Sequence, residues 1–111
     1  MLHTVSPGTE LPASVYWEVN VQGTRNVIDA CWKNGVSKLV YTSSAGVTFN
    51  GHDCVNIDET TPIPEIQLDS YHETKAIAEE MVLSANGQQG LSTVALRPGV
   101  MFGWVSLNFK V

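Results

Sequence analysis

The feature that most constrains the fold of this chain is the alternation of short apolar runs with longer segments of helical period. Residues 2–5, 38–43 and 92–96 are short runs bounded by turn residues, which is typical of buried strands. Between them, residues 15–34 and 70–85 carry apolar side chains at spacings of three and four, which predicts two helices. Parallel strands need crossovers of this length. The order therefore predicts an α/β fold with a parallel sheet, arranged as half of a doubly wound, Rossmann-like domain.

Local signals predict where the second helix begins and ends. Ser70 is predicted to be its N-cap, because Glu73 three positions later completes a capping box. The pair Asn86 and Gly87 is expected to end it. Residues 45–69 form a long irregular loop, and a loop of this length inside a compact domain is usually functional.

Composition and charge exclude several classes of function. The net charge of −5 and the six scattered basic residues argue against binding to nucleic acid or to anionic lipid, since both need clustered basic surface. No apolar stretch approaches the roughly 18 residues that span a bilayer. The N-terminus also lacks the basic region and apolar core of a signal peptide. The sequence therefore indicates a soluble or peripheral protein.

Neither the cysteines nor the histidines form a metal-binding motif. Cys31 and Cys54 have no C-x-x-C spacing, so reduced thiols are expected. His3, His52 and His72 share no metal-ligand spacing. The last of these projects about 100° around its helix from the preceding residue. We interpret it as a flank of the site described next rather than as a proton shuttle.

Two helical side chains, Tyr71 and Lys75, supply the candidate catalytic chemistry. At positions i and i+4 they project from one face, with Cβ atoms about 5–6 Å apart. An ammonium beside a phenol favours the phenolate, so the pKa of Tyr71 is expected to be lowered. Such a phenol can exchange a proton with an alcohol or a ketone. Ser44, which follows the 38–43 strand, is the candidate for holding the same oxygen, with Ser43 as its competitor.

Together with several other segments, these residues resemble the extended short-chain dehydrogenase/reductase superfamily. Within it, the sequence is similar to the 3β-hydroxysteroid dehydrogenase/isomerase family, and in particular to its sterol C4-carboxylate 3-dehydrogenases. The resemblance implies NAD(P)-dependent oxidation of a 3β-hydroxysteroid in sterol biosynthesis, with a 4α-carboxylate lost as carbon dioxide. The segments that carry the resemblance are residues 20–27, 39–45, 58–60, 71–75 and 95–98.

The resemblance also implies roles for single residues. Tyr71 would remove the hydroxyl proton, Lys75 would hold Tyr71 ionisable and bind the nicotinamide ribose, and Ser44 would orient the oxygen. The implied cofactor is NAD or NADP, and these residues do not distinguish the two. For Pro98, a plain strand terminator is an equally good interpretation. The implied cofactor-binding positions are Ser6, Pro7, Ser43, Tyr71, Lys75, Pro98 and Val100.

The sequence departs from the family at both ends. The family opens with a strand and a glycine-rich turn that seats the dinucleotide pyrophosphate. None of the nine glycines here forms such a turn. The predicted strands then correspond to strands four to six, the second βαβαβ half of the family fold. We expect residues 1–103 to form a partial NAD(P)-binding domain, residues 104–111 to be a divergent tail, and the chain to be an internal fragment without activity.

A fragment of this kind is expected to bind no NADH measurably in a calorimetric titration. Micromolar binding by a cooperatively folded monomer would contradict the fragment interpretation. Two alternatives stay open: another extended reductase or epimerase, and a non-catalytic remnant. The resemblance further implies a sterol substrate, a possible homodimer, and a location in the cytoplasm or peripheral to the endoplasmic reticulum membrane.

Four further residues have mainly structural interpretations. Asn20 interrupts the apolar face of its helix and is interpreted either as a buried amide that bonds backbone near the site or as support for a proton relay. Arg97 is interpreted as an ion-pair partner rather than as a catalytic group. Trp17 and Trp32 are expected to lie in the core or between packed helices.

Overall fold

The computed structural model describes residues 11–52 and 55–99, in which helices and strands alternate. Each lies within two residues of its predicted bounds. No helix in these two ranges is long and apolar enough to cross a membrane. The elements are helix α1 (Ala13–Tyr16, π-helical Trp17–Gln22 and Gly23–Lys33), strand β1 (Lys38–Thr42), helix α2 (Ser70–Ser84) and strand β2 (Ser92–Leu96).

The two described strands are adjacent and parallel, with Val40 opposite Val94. The pairing continues past β1, since the amide of Ala45 donates to the carbonyl of Pro98 at 2.9 Å. This geometry confirms the predicted α/β fold with a parallel sheet. It also brings the carboxyl ends of β1 and β2 to one edge, where open α/β sheets bind ligands. The strand predicted at residues 2–5 lies outside the described residues.

The two faces of this sheet differ in burial. Tyr41 is buried against the helices, whereas Val40, Val94 and Leu96 are exposed on the opposite face. Parallel sheets in doubly wound folds are usually apolar on both faces, and these strands have that composition. The core under the first face consists of Ile28, Cys31, Tyr41, Ala78, Val82, Ala85 and Leu91.

The two tryptophans of α1 have different surroundings. Trp32 is partly buried and packs against the core, as predicted. The prediction for Trp17 is wrong, because its side chain is 45% exposed. The buried residues on this part of the helix are Tyr16, Asn20 and Val21, and they occupy the inward face in its place.

The capping box predicted for α2 is wrong by one residue. Asp69 is the N-cap: its backbone is extended, and its carboxylate accepts the backbone N–H of His72 at 2.9 Å. Ser70 is already the first residue inside the helix, so Glu73 is not placed to complete the box. A carboxylate has an advantage over a hydroxyl here, because negative charge interacts favourably with a helix N-terminus.

This assignment predicts unequal effects of two neighbouring alanine substitutions. Asp69→Ala is expected to lower the free energy of unfolding by about 1 kcal/mol, the usual value for a lost N-cap. Ser70→Ala removes a hydroxyl that does not cap the helix. It should therefore change the free energy of unfolding by only about a few tenths of a kcal/mol. Urea unfolding of the two purified variants measures both values. Equal losses, or a larger loss for Ser70→Ala, would restore the serine as the cap.

Candidate active site

The candidate catalytic side chains meet where β1 ends and α2 begins. Ser44 follows β1, Tyr71 lies in the first turn of α2, and Lys75 lies one turn later. The Ser44 hydroxyl lies close enough to the Tyr71 phenol to favour its ionised form. Its Oγ also accepts the backbone N–H of Gly46 at 3.1 Å, which fixes the turn after the strand. Both residues are partly exposed, so a substrate oxygen can reach this pair from solvent.

Ser43 does not share this position. It is 4% exposed, and its Oγ has no hydrogen-bond partner among the described residues. Successive side chains on an extended strand point to opposite sides, so only one of the two serines can face Tyr71. A buried hydroxyl without a partner is unfavourable by about 1–3 kcal/mol. Ser43 Oγ is therefore a polar atom that a ligand could satisfy.

Lys75 is buried between α2 and β1. It is 1% exposed, its Nζ donates to the carbonyl of Thr42 at 2.7 Å, and Nζ lies 4.6 Å from the centroid of the Tyr41 ring. Burial lowers the pKa of Lys75 to about 8, and the negative charge of Glu79 opposes this shift. The ammonium is therefore held by a backbone carbonyl and an aromatic face.

The expectation that the pKa of Tyr71 is lowered is wrong for this structure. Burial raises the pKa of Tyr71, the hydrogen bond with Ser44 opposes the rise, and the charge of Asp69 adds to it. Lys75 does not offset these effects, because its ammonium is directed at the Thr42 carbonyl. At neutral pH, Tyr71 is therefore a neutral phenol that needs a proton acceptor before it can act as a base.

The buried ammonium predicts a pH dependence of stability. The pKa of Lys75 falls from 10.5 to about 8 on folding, so the unfolded chain holds more protons between these values. The free energy of unfolding should then rise as pH increases from about 8 to 9.5. Lys75→Met should remove this part of the rise, whereas Lys33→Met, at an exposed position of α1, should keep it. Parallel slopes for all three proteins in urea unfolding would contradict the prediction.

Asn20, in the π-helical segment of α1, supports the first turn of α2. It is fully buried, and its Nδ2 donates to Thr74 Oγ1 at 3.0 Å. Thr74 Oγ1 in turn lies 2.7 Å from the carbonyl of Ser70 and 3.1 Å from that of Tyr71. The expected burial of Asn20 is confirmed, but its amide donates to a hydroxyl rather than bonding backbone, and its Oδ1 has no partner among the described residues. Short π-helical segments are frequent at functional sites, and this one aims the amide at the turn that carries Tyr71.

Arg97 joins three elements through an ion pair and a hydrogen bond. Its Nη2 and Nε lie 2.7 and 2.9 Å from the same oxygen of Glu79, and its Nη1 donates to the carbonyl of Thr61 at 3.4 Å. The ion-pair interpretation of Arg97 is confirmed. Sequence reasoning missed Glu79, although its position four residues after Lys75 on one helix face was a readable signal.

Asp69 and His72 form a pair that sequence reasoning also missed. His72 Nδ1 lies 2.8 Å from Asp69 Oδ1, and the His72 ring meets the Tyr71 ring edge to face with centroids 5.2 Å apart. A Cβ on Gly46 would lie 2.5 Å from His72 Nε2, so a larger residue at position 46 would displace the imidazole. The spacing of three between Asp69 and His72 was the available signal.

Some of the remaining predicted positions lie outside the residues that the structure describes, and others lie within them. Ser6, Pro7, Val100 and Cys54 lie outside the described residues. Pro98 lies two residues beyond the end of β2, as a strand terminator would, and its carbonyl accepts the Ala45 amide. Within residues 11–52 and 55–99, no group of three or more His, Cys, Asp or Glu side chains could hold a metal ion.

Comparison with known proteins shows which family the sequence matches. A model of the 3-beta hydroxysteroid dehydrogenase/isomerase family matches residues 2–110. The chain is 59% identical over 104 residues to a decarboxylating sterol-4-alpha-carboxylate 3-dehydrogenase of Saccharomyces cerevisiae, and 53% identical over 103 residues to one of Schizosaccharomyces pombe. Each match covers 93% of this chain and 30% of the relative. The chain thus spans less than a third of the length of these relatives.

Solved structures have the same fold over the matched part. A short-chain dehydrogenase/reductase superfamily protein of Agrobacterium tumefaciens with bound NAD is 28% identical, with a TM-score of 0.75, and the match covers 86% of this chain and 29% of that one. A UDP-glucose 4-epimerase of Brucella ovis in complex with NAD is 30% identical, with a TM-score of 0.66, over 76% and 25% of the two chains.

Proposed function

This chain belongs to the 3-beta hydroxysteroid dehydrogenase/isomerase family, and we propose that it supplies the catalytic residues of a sterol-oxidising, nicotinamide-dependent dehydrogenase. The observation that carries the proposal is the position of Ser44 and Tyr71 as neighbours where β1 ends and α2 begins, with the buried Lys75 one helical turn further on. Two hydroxyls that converge on one open position can hold and deprotonate a substrate alcohol. That is the arrangement that removal of a proton from a 3β-hydroxyl requires.

The proposed substrate is a 3β-hydroxysterol that carries a 4α-carboxylate. The support is the identity of 53% and 59% to two fungal proteins named for oxidation of such a sterol. An extended epimerase is the other candidate, supported by the likeness to the Brucella ovis UDP-glucose 4-epimerase. Its lower identity of 30% makes the sterol the better supported substrate.

The residues at the site fit a nicotinamide cofactor. Lys75 offers an ammonium, Ser43 offers a buried hydroxyl without a partner, and Tyr71 offers a partly exposed phenol. Ribose hydroxyls and a carboxamide are groups that such donors and acceptors bind. When bound, NAD or NADP in its oxidised form accepts the hydride that leaves C3 of the sterol.

In this proposal each of the three residues has one role. Ser44 would hold the substrate oxygen, Tyr71 would take its proton, and Lys75 would bind cofactor hydroxyls. The C3 ketone that results stands β to the 4α-carboxylate. The bond between C4 and the carboxylate carbon can then break, since the ketone accepts the electron pair and carbon dioxide leaves. A homodimer and peripheral attachment to the endoplasmic reticulum membrane stay predictions.

A chimera tests the proposal. The matching segment of the Saccharomyces cerevisiae relative is replaced by the residues of this chain, and the product is incubated with a 4α-carboxysterol and NAD or NADP. We expect cofactor reduction together with carbon dioxide release. UDP-glucose serves as the competing substrate. A folded chimera that binds NADH but oxidises no sterol would refute the proposal, and epimerisation of UDP-glucose would favour the alternative.

A further inference from the structure

The first turn of α2 carries an aspartate–histidine pair that the roles above leave unused. Although burial favours the protonated acid, the hydrogen bonds from His72 hold the pKa of Asp69 below its ordinary value, so this carboxylate is ionised. An ionised carboxylate can only accept hydrogen bonds. His72 Nδ1, which lies 2.8 Å from Asp69 Oδ1, must therefore carry the shared proton. The neutral imidazole then has Nε2 as its acceptor atom. The His72 side chain is 21% exposed, so it borders solvent as well as the site.

The free nitrogen of this pair faces the turn that carries Ser44. His72 Nε2 and Ser44 Oγ lie within 3.3 Å of a single point, the position that a Cβ on Gly46 would occupy. The same Ser44 hydroxyl is close enough to the Tyr71 phenol to favour its ionised form. Nε2 itself has no hydrogen-bond partner in the described ranges. Direct contact with the serine hydroxyl, or one bridging water, is enough to connect phenol and imidazole.

We propose that His72, held by Asp69, is the proton acceptor through which Tyr71 loses its proton to solvent, by way of Ser44 or one water. This replaces the interpretation of His72 as a mere flank of the site, because its ring is held by Asp69 and faces the turn that carries Ser44. The inference rests on the proposed function and deepens it. First, the O–H bond of Tyr71 breaks and an N–H bond forms at Nε2 of His72, after which the imidazolium releases that proton to water. The O–H bond of the substrate then breaks, its proton bonds to the Tyr71 oxygen, and the hydride leaves C3 for the oxidised nicotinamide.

Three features of the site favour this route. Tyr71 is a neutral phenol at rest, and the nearby ammonium of Lys75 is engaged with the Thr42 carbonyl. His72 is surrounded by the groups that the route needs: the N-cap Asp69, Tyr71 from the same helix, and Ser44 from the turn after β1. Asp69 accepts from His72 Nδ1 and so fixes the orientation of the imidazole, as a carboxylate beside a histidine does in other proton-transfer sites.

The catalytic test uses the chimera with His72→Gln, which keeps a polar side chain but cannot take up a proton. We expect kcat for sterol oxidation to fall about 100-fold, at the lower end for general acid–base catalysis, while KM and NADH affinity stay unchanged. Added imidazole should restore part of the rate. Asp69→Asn keeps an N-cap but removes the charge and should give a smaller loss in the same direction. His52→Gln, at an exposed loop position, is the matched control with the parental rate.

Two results would overturn the inference while leaving the proposed function intact. One is a His72→Gln chimera that oxidises the sterol at the parental rate from pH 6 to 9. The other is a loss of rate that imidazole does not restore and that leaves the solvent deuterium isotope effect unchanged, which would indicate a structural role.

A second measurement needs no substrate. In the 111-residue chain, imidazole nitrogen shifts in NMR should show the neutral ring of His72 protonated at Nδ1 and free at Nε2. Protonation at Nε2 would overturn the inference even if the chimera proves inactive and the proposed function fails. The Asp69→Asn variant should lose the preference for Nδ1.

Discussion

Tyr71→Phe is expected to lower the rate of sterol oxidation by about 10²–10⁴-fold, because it removes the hydroxyl that is proposed to take the proton of the substrate alcohol. The substitution removes one hydroxyl and keeps the ring that meets His72 edge to face. The turn should therefore keep its shape, and NADH affinity should change by no more than a few-fold. Rate measurements in the chimera, with fluorescence titration of NADH, separate the two effects.

Tyr16→Phe is the matched control for this experiment. It makes the same chemical change at a buried position of α1 rather than at the site. The control should retain activity within a few-fold of the parental rate. A Tyr71→Phe chimera that oxidises sterol at the parental rate would remove this residue from the chemistry. A chimera that loses NADH binding along with activity would instead assign the phenol to the cofactor.

The elements of this fold are readable from the sequence because their signals are local. β2 begins and ends where the apolar run predicts, and α2 ends one residue from its predicted bound. The N-cap was missed because Ser70 and Asp69 both satisfy cap chemistry, and only the backbone decides between them. The π-helical segment around Asn20 was not predicted, and the hydrogen bond from Asn20 reaches Thr74, which lies 54 residues away in the sequence.

In the candidate site, too, local features were predictable from the sequence and long-range contacts were not. The spacing of Tyr71 and Lys75 correctly places them on one face of a helix, because helical geometry fixes it. Where the ammonium points depends on a carbonyl at the end of β1, and no spacing along α2 encodes that contact. The direction of the Tyr71 pKa shift was wrong for this reason. Burial is a property of the assembled fold, and here it outweighs the charge that the motif suggests.

Arg97→Leu is expected to lower the free energy of unfolding by about 3–5 kcal/mol, the range for breaking a buried ion pair from one side. The Glu79 side chain is 2% exposed, and its Oε1 would lose both arginine contacts. Its Oε2 already has no partner among the described residues. A domain of this size has a total stability of about 5–15 kcal/mol, so the loss is a large part of the whole. Urea unfolding measures it.

Two comparisons distinguish an uncompensated charge from simple loss of packing. Adding Glu79→Gln to Arg97→Leu removes the charge, so the double variant should be more stable at pH 7 than the single one, giving a large coupling energy. Arg25→Leu, at an exposed position of α1, makes the same change without a buried partner and should have little effect. If the double variant is no more stable than Arg97→Leu, then Arg97 acts through its packing and its bond to the Thr61 carbonyl.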